Sequence, residues 1–446
     1  MKITDQSKPV HGMRTFFTIW FGQLVSLLGS QLTGFALGVW VYDQTHSVLM
    51  LALTQVAMQA PFVILSPLAG VFADRWNRRT AMIVSDFGAG LSVLIAALLF
   101  LSHNLQPWMV IPINLWMASF QTLMWPSISA ATTLLVPKEQ YGRASGLTQL
   151  GEALPALAGP AIAGVLYAAI KLGNMALIDF ASYIFSVFLM LMFVRIPSPA
   201  RSETHEASSI WKEMRFGWDY IVARKGLLSL LVFFMIFNFL SGVIGPLITP
   251  LILDNWDVST LGFLSTLMGG GMLAGTVVMS AWGGSKRKIY SLLIASLLDG
   301  VFLIAAGIRV SLPLIAISGF GAMFTGPITN AASQAIWQAK VAPELQGRVF
   351  AFRRTIAWST GIVAPLLAAP LADYVFKPAM ASGGALAAIL GPLFGVGAAR
   401  GVGVMISLVG LLIMVNAAIS FKVRRLMRVE LDLPDHDSNA GDISGT

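Results

Sequence analysis

From Ser47 to Phe72 the chain carries no charged residue. At Gly70-Val-Phe-Ala-Asp74-Arg75-Trp-Asn-Arg78-Arg79 it then sets one carboxylate and three guanidinium groups in a single turn. Thr80 to Ser102 follows, apolar again and interrupted only by Asp86. A water-soluble fold has little use for such a join. A membrane fold does, because the turn sits among water and headgroups while its neighbours cross the hydrocarbon. The pattern recurs along all 446 residues: 56% are hydrophobic and 11% charged, and mean hydropathy is +0.76. Soluble domains carry about 25% charge, so a conventional soluble enzyme is excluded.

Apolar runs separated by charges or turn residues predict twelve helices, over 15–41, 48–73, 80–102, 107–136, 144–170 and 175–194, then 227–253, 260–282, 289–308, 312–340, 353–376 and 401–421. No dyad alternation suggests a barrel, and lipid-exposed backbone otherwise requires helices. The expected fold is an all-α integral membrane protein of twelve transmembrane helices in two six-helix pseudo-repeats. Placing the N-terminus inside puts 25 of the 29 Lys and Arg residues on the inner side, leaving Lys171, Arg309, Lys377 and Arg400 outside. That asymmetry puts both termini in the cytoplasm. It also accounts for the net charge of +8 without nucleic acid.

The only long polar connection is 195–226, which separates an N-terminal half (1–194) from a C-terminal half (227–421) and a tail (422–446) expected to be disordered. Within the connection, Ile210 to Lys225 has amphipathic helical spacing. It reads equally as a helix on the inner leaflet or as a solvated linker helix. The halves share short matches in the same order. Pro137-Lys-Glu-Gln-Tyr-Gly142-Arg143 parallels Pro343-Glu-Leu-Gln-Gly347-Arg348, and Trp125-Pro126-Ser-Ile-Ser-Ala-Ala parallels Gly326-Pro327-Ile-Thr-Asn-Ala-Ala. The turn after the eighth span, Gly283-Gly-Ser-Lys286-Arg287-Lys288, keeps positive charge but lacks an Asp, which confines any Asp-based latch to the first half. Between the last two spans, Leu386 to Val396 reads as a short re-entrant helix or a loose outer loop.

Zero cysteines exclude disulfides, Cys-ligated zinc and thiol catalysis. Five scattered histidines give no metal constellation, and no G-x-x-x-x-G-K-[ST] loop occurs. Neither enzymatic activity nor a cofactor or metal is expected, and no cleavable signal peptide is evident.

The G-x-x-x-D-R-x-x-R-R turn resembles the loop 2–3 signature of the major facilitator superfamily, with Asn77 where Gly is usual. Thr18 to Ser26, Tyr42 to Ser47, Val136 to Gln140, Ile178-Asp179 and Gly347 to Phe350 are similar to its macrolide-efflux and enterobactin-exporter branch. The resemblance implies a plasma-membrane exporter, monomeric and driven by the proton gradient. The implied substrate is an amphipathic small molecule such as a drug, macrolide or siderophore. An importer or lipid flippase of the same fold, or a non-transporting sensor, are the alternatives.

The resemblance further implies a gate of Gly70, Asp74, Arg75, Arg78, Arg79 and Asp86 with Arg353 and Arg354. Kinks or close packing fall at Pro155, Gly159, Pro160 and Pro365. A cavity is implied between spans 1, 4, 7 and 10, to which Gln23, Gln31, Trp116, Gln121, Trp125, Phe234, Asn238, Asn330 and Gln334 contribute. The familiar proton-relay Arg of the fourth span is absent, since no Lys or Arg lies between 107 and 136. Acidic residues inside spans are costly and therefore candidate proton carriers. Glu152, about 13 Å past Arg143, and Asp299, about 15 Å past Ile289, lie deepest at 1.5 Å per residue. Asp86, Asp179 and Asp373 are expected nearer span ends, capping helices or meeting headgroups.

Overall fold

The computed structural model describes residues 12–65, 76–194, 196, 210–309 and 311–433. Gly70, Asp74 and Arg75 lie outside them. No strand occurs among the described residues, and nine of their helices are long and apolar enough to cross a bilayer. The chain divides into two compact units, Met1–Ser202 with Trp256–Thr266, and Glu203–Asn255 with Leu267–Thr446.

The first unit contains α1 (Gly12–Thr45), α2 (Val48–Ile64), α3 (Arg78–Leu101), α4 (Val110–Gln121), α5 (Met124–Leu135) and α6 (Tyr141–Phe193). Ser47 and Asn77 cap α2 and α3, each side chain accepting a first-turn N–H. The run 107–136, expected as one span, is broken into α4 and α5 at Thr122-Leu123. Pro126 has no N–H to offer the carbonyl of Thr122, so the helical ladder lapses there. The 53 residues of α6 would reach about 80 Å if straight, against about 30 Å of hydrocarbon. They reverse at Lys171, whose φ is 60. The two arms run antiparallel along α1: Trp20 and Gly22 meet Leu147 and Ser186, while Gln31 and Gly29 meet Gly159 and Asp179. Pro155 and Pro160 sit within the first arm, and the only non-helical dihedrals in α6 are at Lys171. Gly164 and Gly262 approach each other closely enough to put the Gly262 backbone against the Pro160 carbonyl.

The second unit begins with α7 (Ile210–Ala223) and α8 (Lys225–Leu253), and includes most of α9 (Val258–Trp282). It continues with α10 (Lys288–Ile308), α11 (Leu312–Lys340), α12 (Pro343–Pro370), α13 (Lys377–Met380), α14 (Ala387–Phe394) and α15 (Ala398–Lys422), then α16 (Arg424–Met427) and α17 (Val429–Asp432). The amphipathic linker helix α7 docks on α12. Gly217 seats against Phe352 and the Arg348 carbonyl, and the Trp218 and Phe352 rings are 5.8 Å apart. Helix α12 starts ten residues before the expected 353, absorbing the Gly347-Arg348 motif into its first turns. It contains Pro365 and passes into one π-helical stretch, Leu371–Phe376, where Asp373 pairs with Lys377 at 2.9 Å. Between the last two spans, where the sequence leaves a short helix and a loose loop equally open, residues Ala387–Phe394 form the helix α14.

The tail expected to be disordered from 422 carries α16 and α17 over its described part, and residues 434–446 lie outside the described residues. Leu426 and Val429 are buried, Val429 against Gly226 at the start of α8. Glu430 supplies what the α9–α10 turn lacks. Its Oε1 accepts from the Lys288 backbone N–H at 2.9 Å and its Oε2 from that of Ile289 at 3.1 Å. The carboxylate thus satisfies orphan donors at the positive end of α10. The Arg287 guanidinium donates to the Met427 carbonyl, and Lys340 Nζ donates to the carbonyls of Glu430 and Leu433. The turn before α10 thus has an acidic partner, supplied from about 140 residues downstream.

Candidate functional site

Each unit encloses a cavity of its own. In the first unit, α1, α2, α3, α4, α5 and α6 surround about 290 Å³. Its walls include Phe16, Trp20, Trp125 and Tyr183, and its polar groups include Gln23, Asp86, Gln121 and Glu152. Asp86, from α3, is only 3% exposed. Its Oδ2 accepts from Gln23 Nε2 of α1 at 2.8 Å and from the Ser186 hydroxyl of α6 at 2.6 Å. Gln23 Nε2 also donates to Ser186 Oγ at 3.1 Å. Among the described lining residues none is Lys, Arg or His.

A second polar chain adjoins it. Gln121 Nε2 donates to the Tyr183 hydroxyl at 2.8 Å, and Tyr183 and Ser30 lie 2.9 Å apart. The Ser30 hydroxyl is committed to the Ser26 carbonyl at 2.9 Å. Either hydroxyl can donate in the Tyr183–Ser30 contact, and the chain links Gln121 through Tyr183 and Ser30 to the α1 backbone.

These positions correct the reading of Asp86 and Asp179 as groups at span ends. Asp86 lies about 12 Å along α3 from Arg78 at 1.5 Å per residue, facing α1 and α6. Asp179 is fully buried, with the Ser182 hydroxyl 3.4 Å from its Oδ1 and Ser30 and Thr33 facing it. It fits because Gly29 has no side chain: a Cβ there would stand 2.6 Å from Asp179 Oδ1. Asp299 is 7% exposed between α10 and α11, near Thr325, and lines neither cavity. Glu152 is exposed and does line the first.

The second unit holds about 320 Å³ between α8, α11 and α12, bordered by Phe234, Asn238, Asn330, Arg353, Trp358 and Thr360. Arg353 Nη1 donates to Gln334 Oε1 at 3.0 Å, and the guanidinium lies 5.4 Å from the Trp337 ring and 6.0 Å from that of Phe350. Arg354 is exposed over Trp358, 5.1 Å from its centroid.

Of the expected cavity residues, Gln23, Gln121 and Trp125 therefore meet in the first cavity, and Phe234, Asn238 and Asn330 in the second. Gln334 reaches the second through Arg353. Gln31 and Trp116 line neither: Gln31 packs on Gly159, and Trp116 Nε1 donates to the Gly88 carbonyl at 3.0 Å. Among the gate residues, Arg79 has an unforeseen role. Its Nε and Nη2 donate to the Met190 and Leu191 carbonyls at 3.0 and 2.7 Å, closing the end of α6. Arg78 begins α3 and is half-buried. Sequence reasoning missed Tyr183 and Ser186, although Asp179, Ser182, Tyr183 and Ser186 form a polar stripe at helical spacing within an apolar arm.

A multi-pass membrane protein, helical throughout its described residues, with a cavity of aromatic and polar lining in each of two units is built as a membrane transporter. Residues 19–365 match the sequence profile of the Major Facilitator Superfamily, and the chain belongs to that superfamily. It is 26% identical over 374 residues to Macrolide efflux protein A of Streptococcus pyogenes, across 81% of this chain and 90% of that protein. It is 24% identical over 285 residues to the enterobactin exporter EntS of Shigella flexneri, across 63% and 66%. Among solved structures it resembles a bacterial homolog of the human lysosomal transporter Spinster, with a TM-score of 0.70 at 13% identity over 94% of this chain and 97% of that one. The nucleoside transporter NupG gives 0.67 at 10% identity over 92% and 100%.

Proposed function

We propose that this transporter exports an amphipathic small molecule from the cell in exchange for protons, by alternating access, with both termini in the cytoplasm. The observation that carries the reading is Asp86, a carboxylate almost fully withdrawn from water yet bordering a cavity whose described lining contains no basic residue. An isolated buried charge is costly, so such a group gains by binding and releasing a proton. The two donors from Gln23 and Ser186 converge on Oδ2. No donor among the described residues reaches Oδ1, which is the natural atom to receive the proton. Glu152, on the same cavity, is the group that would relay it. Trp20, Trp125 and Tyr183 offer flat apolar walls, the composition that suits an amphipathic ligand oriented by a few polar groups. Export is supported by the names of the efflux relatives. The Asp74 turn, outside the described residues, is read as an element of the cytoplasmic gate.

The test is macrolide transport in everted membrane vesicles from an efflux-deficient host, with a pH-sensitive dye inside. Adding erythromycin to energised wild-type vesicles is expected to release protons, and an uncoupler to stop uptake. Asp86→Asn is expected to abolish both while reaching the membrane in normal amount. Uptake insensitive to uncoupler, or an Asp86→Asn variant with wild-type rate and pH dependence, would overturn the mechanism.

A further inference from the structure

The second cavity differs from the first in the sign of its charge, and this points to what it holds. Arg353 is the only ionisable residue among its described lining. Within the described residues its one hydrogen-bond acceptor is Gln334 Oε1, and no carboxylate lies within ion-pair distance. A guanidinium has five N–H donors in a rigid fork, so most of its capacity is unspent. The side chain is nonetheless held in place, because the Gln334 bond and the Trp337 and Phe350 rings fix its plane. A half-buried cation that is anchored but not neutralised is poised for an incoming anion, and the fork matches a carboxylate in two-point geometry.

The rest of the cavity describes the remainder of the ligand. Phe234 and Trp358 provide aromatic wall. Asn330 Nδ2 is committed to the Gly326 carbonyl, and the Thr360 hydroxyl to that of Ala357. Each side chain therefore keeps an oxygen acceptor for a weakly polar group on the ligand. A body of about drug size with one acidic end satisfies every feature, and pockets of about 300 Å³ or more are typical for such molecules.

We infer that the α8–α11–α12 cavity is a binding subsite for amphipathic organic anions, in which Arg353 takes the carboxylate and Phe234 and Trp358 take the apolar body. This deepens the proposed transport of amphipathic molecules and rests on that reading for its physiological meaning.

The experiment measures binding without transport. Purified full-length protein in neutral detergent is titrated with 4-(1-pyrenyl)butyrate and with its uncharged methyl ester, following quenching of tryptophan fluorescence. The wild type is expected to bind the carboxylate at least tenfold more tightly than the ester, with the preference shrinking as salt rises. Arg353→Gln is expected to remove the preference and leave ester affinity within twofold. Arg353→Lys should restore part of it, because charge returns without the fork. Equal affinity for acid and ester in the wild type would overturn the assignment. So would an Arg353→Gln variant that keeps the preference or loses both ligands alike. No gradient is present, so a failure of proton-coupled export would leave this result standing, and failure here would leave the vesicle assay untouched.

Discussion

Replacing Glu430 by Ala removes two charge-assisted bonds from the first turn of α10 and leaves the amides of Lys288 and Ile289 without their partner. Loss of an N-terminal cap costs about 0.5–2 kcal/mol, and each hydrogen bond to a charged group contributes roughly 1.5–3 kcal/mol. Glu430 is half-buried, and water can replace part of what is lost, so about 2 kcal/mol is the expected local penalty. Glu430→Gln keeps one acceptor oxygen but aims an amide N–H at the second donor, for a loss of about 1–2 kcal/mol including the weakened dipole interaction. At tenfold per 1.4 kcal/mol, the Ala variant should accelerate exchange of the Lys288 and Ile289 amides by about 25-fold. Hydrogen–deuterium exchange with peptide-level mass spectrometry on the detergent-solubilised protein reads this directly. The peptide covering the Asn77 cap of α3 serves as an internal control. Exchange over 288–292 within twofold of wild type in both variants would refute the view that the C-terminal segment caps α10. Acceleration of the α3 peptide to the same degree would instead indicate global unfolding.

Gly29→Ala is expected to lower the melting temperature in detergent, because its Cβ would stand 2.6 Å from Asp179 Oδ1 and overpacking costs about 1–3 kcal/mol. Gly34→Ala, which meets nothing within 4 Å, should leave it unchanged or slightly raised, and equal shifts in the two would refute the close-packing argument. Asp257, just before α9, accepts from the Thr260 hydroxyl at 2.6 Å and from its backbone N–H at 2.9 Å, and these bonds hold its carboxyl below the ordinary value of 3.8. A depressed carboxyl stabilises the cap above that ordinary value and loses the contribution as pH falls through its own lower one. Exchange at Thr260, corrected for intrinsic rate, should therefore rise below about pH 4 in the wild type. Asp257→Asn should show no such pH step.

Much of the architecture follows from local chemistry. The start of α3 at Arg78 is set by the Asn77 cap, and the break between α4 and α5 follows from Pro126 lacking an N–H. The candidate site is less legible. Gln23, Gln121 and Trp125 stand out because polar and aromatic residues in apolar spans are few, and they do share one cavity. Gln31 and Trp116 satisfy the same criterion and pack elsewhere, on Gly159 and the Gly88 carbonyl. Nothing in their own spans distinguishes the two sets. The burial of Asp86 and Asp179 is hidden because counting along a helix measures depth, whereas burial depends on which neighbour lies across from it. For Asp179 that neighbour is Gly29, 150 residues earlier.

By itself, then, the sequence determined that this chain is a helical membrane protein and where most of its spans run. Lipid imposes those answers residue by residue, since backbone polar groups must be satisfied within the helix and nearly all charges kept near water. Tertiary structure decided which charged group serves which partner. Asp86 is joined to Gln23 and Ser186, Arg353 to Gln334 and Trp337, and Glu430 to the first turn of α10. The Asp86 and Glu430 pairings join helices far apart in sequence, and the Arg353 pairing joins the consecutive α11 and α12, so each depends on how whole helices pack and not on local pattern.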